Sequence, residues 1–281
     1  MTWKIVSDSG CDFQKIKDLA VATNFERVPL TIQVGNEIFT DDAELDIDEM
    51  MEKMYATSTA SKSACPSPDD YLKSFAGADN IFVVTITGTL SGSNNSAQLA
   101  KKLYQEEHPN VNIHVIDSLS AGGEIDLIVH KLNHLIGQGL SFEEVAQAIT
   151  DYQEKTKLLF VLSKVDNLVK NGRLSKLLGT VVGLLNIRMV GEASSQGTLE
   201  LLQKARGHKK SLTAAFEELL KAGYAGGEII IAHRNNTKFC QQFSELVKEK
   251  YPKASITIIP TSGLCSFYAE EGGLLMGYEI E

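Results

Sequence analysis

Short apolar runs bounded by turn residues alternate along this chain with segments whose apolar positions recur every three or four residues. Trp3 to Val6 predicts a first strand and Cys11 to Thr23 a helix. VPLTIQVGNEIFTDD predicts a hairpin turning at Gly35-Asn36. Asp46 to Ala56 predicts a helix with an acidic first turn, and Ser67-Pro68 opens another with serine as cap and proline at the first position. A strand at Ile81 to Ile86, a helix to about Gln105, a strand at Val111 to Ile116 and a helix through Leu135 follow. Beyond Gly139 come a helix capped by Ser141, the strand TKLLFVLSKV, a short helix ending at Asn171-Gly172 and the apolar segment Leu174 to Leu185. IRMVGEASSQGTLELLQKA predicts a hairpin turning at Ser194 to Gly197. A helix at Lys210 to Ala222, a strand at Glu228 to Ala232, a helix at Thr237 to Lys248 and a strand at Ser255 to Ile259 complete a second unit. This alternation predicts α/β architecture with a largely parallel sheet. Two α/β domains are expected, residues 1–155 and 156–281.

The length of 281 residues agrees with two domains at ~150 residues each. A net charge of −9 argues against nucleic acid or an anionic membrane as a partner, because an acidic surface is repelled by both. The opening MTWKIVSDSG lacks the apolar core of a signal peptide, and the longest apolar-rich run, Leu177 to Ile187, is short of the ~20 residues of a membrane span. A cytoplasmic protein without stable membrane insertion is expected. Cys11, Cys65, Cys240 and Cys265 are widely spaced with no CxxC pair, which fits a reducing compartment and indicates neither a disulfide framework nor a zinc site.

The candidate chemistry lies at strand-to-helix junctions. VVTITGTLSGSNNSAQLAKKL, from Val83 to Leu103, passes from strand to helix through Thr85, Thr87, Thr89, Ser91, Ser93 and two glycines, with no charge among them. The first N–H groups of a helix have no intrahelical partner and carry positive potential, so this junction suits a carboxylate or phosphate, with Gly92 admitting close approach. The commoner alternative is that Ser91 or Ser93 simply caps the helix. The spacing is not that of a GxSxG elbow, and the lysine of a P-loop is absent. IVSDSGCD and VIDSLSAGGE also follow strands, and SACPSPDD precedes a helix. Strand ends of a parallel sheet gather at one edge, so these loops are expected to meet in one hydroxyl-lined mouth, with Asp8 and Asp117 either part of it or bracing the loops. Arg173 in KNGRLS has the geometry to hold an anion, although a lone exposed arginine is more often a plain surface residue. His130 with His134, the basic GHKK and Glu270-Glu271 read as solvated surface.

In order along nearly the whole chain, KIVSDSGCD, ACPSPDDY, TLSGSNNSA, VIDSLSAGG, LVKNGRLSK with LLNIR, and the C-terminal GG before LLMGYE resemble the DegV family, the bacterial fatty-acid-binding subunits of fatty acid kinase. The resemblance implies two α/β domains, a lipid tunnel associated with the C-terminal domain, and a ligand head group near the domain interface. It further implies a long-chain fatty acid as the ligand, with no other cofactor and no metal. By the same resemblance, a separate kinase subunit is expected to phosphorylate its carboxylate with ATP, the acyl phosphate then passing towards phospholipid synthesis. The family's carboxylate-contacting threonine falls on Ser63, its LSG serine on Ser91 beside Gly92, and its arginine for the kinase or phosphate on Arg173. Where many members carry a histidine in GTHTGPG, this chain reads TSGLCSFYAEEGG, with Cys265 at that position.

Burying a ~16-carbon chain at ~0.8 kcal/mol per CH2 supplies on the order of 10 kcal/mol, so hydroxyls and helix N–H groups suffice to fix the head group. The segment Leu177 to Leu185 is a candidate tunnel wall or ordinary core. A binding subunit without catalytic residues of its own is therefore the leading expectation. The alternative is a small-molecule enzyme with Ser91 or Cys265 as nucleophile, for which no base is evident. A DNA-binding regulator is disfavoured by charge and by the lack of a helix-turn-helix signal.

Overall fold

The computed structural model describes residues 1–174 and 186–281. Its first half runs β1 (Trp3–Asp8), β2 (Thr23–Val28), β3 (Thr31–Val34), β4 (Glu37–Thr40), α1 (Ile47–Ala56), β5 (Lys62–Ala64), α2 (Pro68–Phe75), β6 (Asn80–Thr85), α3 (Ser93–Glu107), β7 (Asn112–Asp117), α4 (Gly123–Gly137) and α5 (Phe142–Gln153). The second half runs β8 (Thr156–Leu162), α6 (Asp166–Lys170), β9 (Ile187–Ala193), β10 (Leu199–Arg206), α7 (His208–Lys221), β11 (Ile229–His233), α8 (Thr237–Lys250), β12 (Ile256–Pro260), α9 (Gly263–Ala269) and β13 (Leu274–Glu279). The apolar segment from Leu177 to Leu185, a candidate tunnel wall, lies outside the described residues.

Three sheets form. The first, β2-β1-β6-β7, is wholly parallel, and the continuous apolar run of β6 is buried at every position, as expected for a strand covered on both faces. The second, β10-β9-β8-β13-β11-β12, corrects the expectation of largely parallel strands: only β11 and β12 run parallel within it. Its last strand, β13, was not anticipated, yet it occupies the middle between β8 and β11. The third, β4-β3-β5, is a small antiparallel sheet that adds β5 to the expected hairpin at Gly35.

The helix expected from Cys11 to Thr23 does not form. Asp18 and Ala22 adopt left-handed backbone conformations. Side chains of α4 occupy the segment's N–H groups instead: Asp126 Oδ1 accepts from Asp12 N at 2.8 Å, and Asn133 Oδ1 accepts from Ala20 N at 2.8 Å. With its backbone donors satisfied from outside, the segment gains little from intrahelical bonds.

These bonds reflect the central place of α4. Eleven of its fifteen residues are buried, so apolar side chains leave it on both sides. It leans on β1 and β6 in one direction and on β11 and β13 in the other. The contact with the second sheet is backbone on backbone. A Cβ on Gly123 would strike Ile230 O and lie 2.5 Å from Gly277 N, and a Cβ on Gly277 would strike Gly123 O.

Polar bonds continue the seam. Asp12 Oδ1 accepts from Ser262 N at 2.7 Å, and Asp41 accepts from Gly263 N and Leu264 N, both at 2.8 Å, so α9 is fixed by carboxylates of the first half. Arg27 stands 3.5 Å from Asp41 and donates to Ser262 Oγ. Burial pushes the carboxyls of Asp12 and Asp126 upward, and the nearby Asp12 charge raises Asp126 further. Burial likewise pushes Asp8 up to about 6 and Glu124 up to about 7.

Gly123→Ala and Gly277→Ala are expected to cost about 3 kcal/mol or more, because the obstructing atoms are backbone that no rotamer change removes. Gly139→Ala, at a positive φ with open space around it, should cost only about 1–2 kcal/mol of conformational strain. Urea unfolding of the three variants checks the difference. A second expectation concerns pH. A buried acid whose folded pKa is raised keeps its proton where the unfolded chain has lost it, so stability falls as pH rises from about 4 to about 7. Unfolding midpoints measured across that interval should decline.

Candidate functional site

The polar loops and the second sheet enclose a cavity of about 300 Å³. Ser63, Ser91, Gly92, Arg173 and Cys265 all line it, so the structure brings the five sequence-derived candidates to one place. Apolar wall comes from Leu158, Phe160 and Leu162 of β8, with Leu168, Leu199 and Leu275 beside them. Among the described residues no carboxylate lines this cavity, and Arg173 is its only charged side chain.

Most hydroxyls of the β6–α3 junction have structural work. Thr87 Oγ1 donates to Gly197 O at 3.0 Å and Thr89 Oγ1 to Gln196 O at 2.6 Å, tying the junction to the β9–β10 hairpin. Thr85 Oγ1 accepts from Asn94. Ser93 Oγ donates to Asp8 at 2.5 Å. The N-cap of α3 is Gly92, with no side-chain cap, so the simple reading of Ser91 or Ser93 as cap does not hold. Ser91 Oγ accepts weakly from Ser93 N at 3.3 Å, and among the described residues its own proton meets no acceptor.

Asp8 and Asp117 brace the loops. Asp8 accepts from Gly10 N and Ile86 N, and Asp117 from Gly88 N and Leu119 N. Beneath the junction, a Cβ on Gly92 would come within 3.0 Å of Cys65 Sγ, so glycine there keeps the turn seated on the loop after β5.

Ser63 sits on β5, paired with Ile32 of β3, and its Oγ shares a 2.8 Å hydrogen bond with the Tyr268 hydroxyl. Arg173 follows the left-handed Gly172 and is held by its Nε donating to Leu90 O and its guanidinium to Asn171 O. It is thus anchored to the loop that carries Ser91 and is not a free surface arginine. Cys265 is buried, its sulfur 3.7 Å from Gly10 O. Burial and the neighbouring Asp12, Asp126 and Asp41 push its thiol well above the ordinary range.

The nucleophile expectation fails on these grounds. A thiol held neutral by burial and negative charge is a poor attacking group. Among the described residues, which include all six histidines, no histidine lines the cavity to serve as base for Ser91. His130 instead lies 3.1 Å from Glu228. Glu270 departs from the solvated reading: it is buried and accepts from Asn167 N, while Glu271 is exposed. Tyr268 and Cys65 are lining residues that sequence reasoning missed. Tyr268 lies three positions after Cys265, the same-face spacing of a helix, but α9 itself was not anticipated.

The cysteines differ sharply in access. Cys65 is exposed, whereas Cys11, Cys240 and Cys265 are buried with thiols pushed upward by burial. A colorimetric disulfide reagent should therefore titrate one thiol in the native protein and the other three only after unfolding. A second fast-reacting thiol would contradict the burial.

Comparison with known proteins places this geometry. The family model described as "Uncharacterised protein, DegV family" matches residues 2–279. The chain is 84% identical over 280 residues to a DegV domain-containing protein of Streptococcus gordonii, spanning all of both chains. Among solved structures, the Streptococcus pneumoniae Fatty Acid Kinase (Fak) B3 protein loaded with linoleic acid is 74% identical, with a TM-score of 0.99 over all of both chains. A DegV family protein from Eubacterium eligens loaded with heptadecanoic acid is 39% identical, with a TM-score of 0.96 over all of both chains. With a family match over almost its entire length, and relatives this similar end to end, the chain belongs to the DegV family.

Proposed function

We propose that this protein is a fatty-acid carrier that holds a long-chain fatty acid by its acyl chain and presents the carboxylate to a separate kinase subunit. The observation that carries this reading is the make-up of the cavity: leucines and Phe160 along one wall, and Ser63, Ser91, Gly92 and Arg173 gathered at its polar side with no carboxylate among the described lining residues. Such a site attracts a molecule with one long apolar part and one anionic end. The fatty acids found in the related Streptococcus pneumoniae and Eubacterium eligens structures support it.

The work divides between the two parts of the ligand. The acyl chain supplies affinity, at ~0.8 kcal/mol per buried CH2. The head group supplies position. Ser91 donates its hydroxyl proton to the carboxylate, Gly92 allows close approach at the start of α3, and Ser63 donates from the facing wall. Arg173 offsets the negative charge and remains near the carboxylate when a phosphoryl group arrives. Cys265 contributes wall and not chemistry. The kinase partner is inferred from the family and from the kinase named for the Streptococcus pneumoniae relative. Among the described residues no helix is long and apolar enough to cross a membrane, and we place the carrier in the cytoplasm.

The decisive experiment is direct. Protein purified from a bacterial host, denatured and extracted with organic solvent should release about one fatty acid per chain by mass spectrometry. Lipid-free extracts from several hosts would sink the assignment. Ser91→Ala should lower acyl-phosphate formation by the kinase by roughly tenfold, the effect of one hydrogen bond to a charged group, while leaving lipid retention within about twofold. Equal loss of both would show that Ser91 supports the cavity and does not position the carboxylate.

A further inference from the structure

Tyr268 is prominent among the cavity residues that neither the family motifs nor the sequence pattern singled out. It sits near the C-terminal end of α9, and its side chain lines the cavity. The ring packs against three apolar clusters at once: the core around α4, the core behind β8, and the small core under β3 and α1. A ring held from three sides has little rotational freedom, so its hydroxyl is a fixed point. That hydroxyl meets Ser63 Oγ at 2.8 Å.

Two hydroxyls bonded to each other carry two protons and use one between them. If Tyr268 donates to Ser63, the serine proton is left over; if Ser63 donates, the tyrosine proton is. Among the described residues neither oxygen has a further partner. In both arrangements one O–H remains, polarised by the other bond and therefore a stronger donor. Burial pushes the Tyr268 hydroxyl upward, so it stays an O–H, while Arg173 lies near enough for its charge to be felt there. The leftover donor and the guanidinium thus belong to one side of the cavity.

We propose that Tyr268 is a positioning residue for the lipid head group, acting with Ser63 as a two-hydroxyl unit that donates a single hydrogen bond to the carboxylate. This rests on the fatty-acid reading above. It assigns to Tyr268 a selectivity for carboxylate over a neutral head group that the apolar wall does not provide.

The test compares delipidated wild type with Tyr268→Phe, Ser63→Ala and the double variant, each titrated with linoleic acid and with linoleyl alcohol. Tyr268→Phe keeps the ring in its three-sided socket and removes one oxygen; Ser63→Ala breaks the same unit from the other side. The single variant that removes the hydroxyl facing the carboxylate should bind the acid about tenfold more weakly and the other single variant less so, while both bind the alcohol within about twofold of wild type. The double variant should be no weaker than about the worse single one, because the pair acts as one donor. Unchanged acid affinity in both singles, equal losses for acid and alcohol, or losses that multiply in the double variant would each overturn the inference. Failure of wild type to bind either lipid would instead bring down the carrier reading, and this inference with it.

Discussion

The fold depends on the close approach of α4 to the second sheet at Gly123 and Gly277. Two backbones meet there with no side chain between them, and a single methyl group on either glycine has nowhere to go. Because α4 also covers β1 and β6, this one contact sets the position of the parallel sheet relative to the mixed one. The cavity lies where the two meet, with polar loops from one side and apolar strand faces from the other. Its dimensions therefore follow from the depth to which α4 is seated.

The polar seam sharpens what the glycine contact begins. Burying carboxylates is costly, and these are retained with most of their oxygens bonded to backbone N–H groups of the loops they fix. Asp12 and Asp41 set α9 in place, and α9 carries both Cys265 and Tyr268 into the cavity wall. The acids act on the cavity by placing the helix that lines it. None of them lines the cavity among the described residues, where a negative charge would repel a carboxylate.

A carrier and an enzyme ask different things of a binding site. An enzyme presents activated groups, whereas a carrier that passes its ligand's head group to another protein benefits from neutral donors that hold the group without reacting with it. Hydroxyls, glycine N–H groups and one anchored guanidinium meet that requirement. The thiol of Cys265, kept protonated by burial and by nearby carboxylates, is chemically quiet in the same sense.

Local signals in the chain determined much of this. Capping serines at Ser67 and Ser141, the glycine turn at Gly35 and the continuous apolar run of β6 depend on neighbouring residues, and each formed as its pattern predicts. The motif order pointed to Ser63, Ser91, Gly92, Arg173 and Cys265, which meet in one cavity. Tertiary structure alone decided the rest. The segment after Cys11 has helical periodicity, but Asp126 and Asn133, more than a hundred residues away, take its N–H groups. β13 follows the Gly272-Gly273 pair and is central by position, where its one glycine, Gly277, admits α4. Tyr268 met Ser63 only when α9 was fixed against β5. Periodicity and capping are written in adjacent residues and can be read there; a hydrogen bond or a backbone contact between distant segments exists only once the chain has closed upon itself.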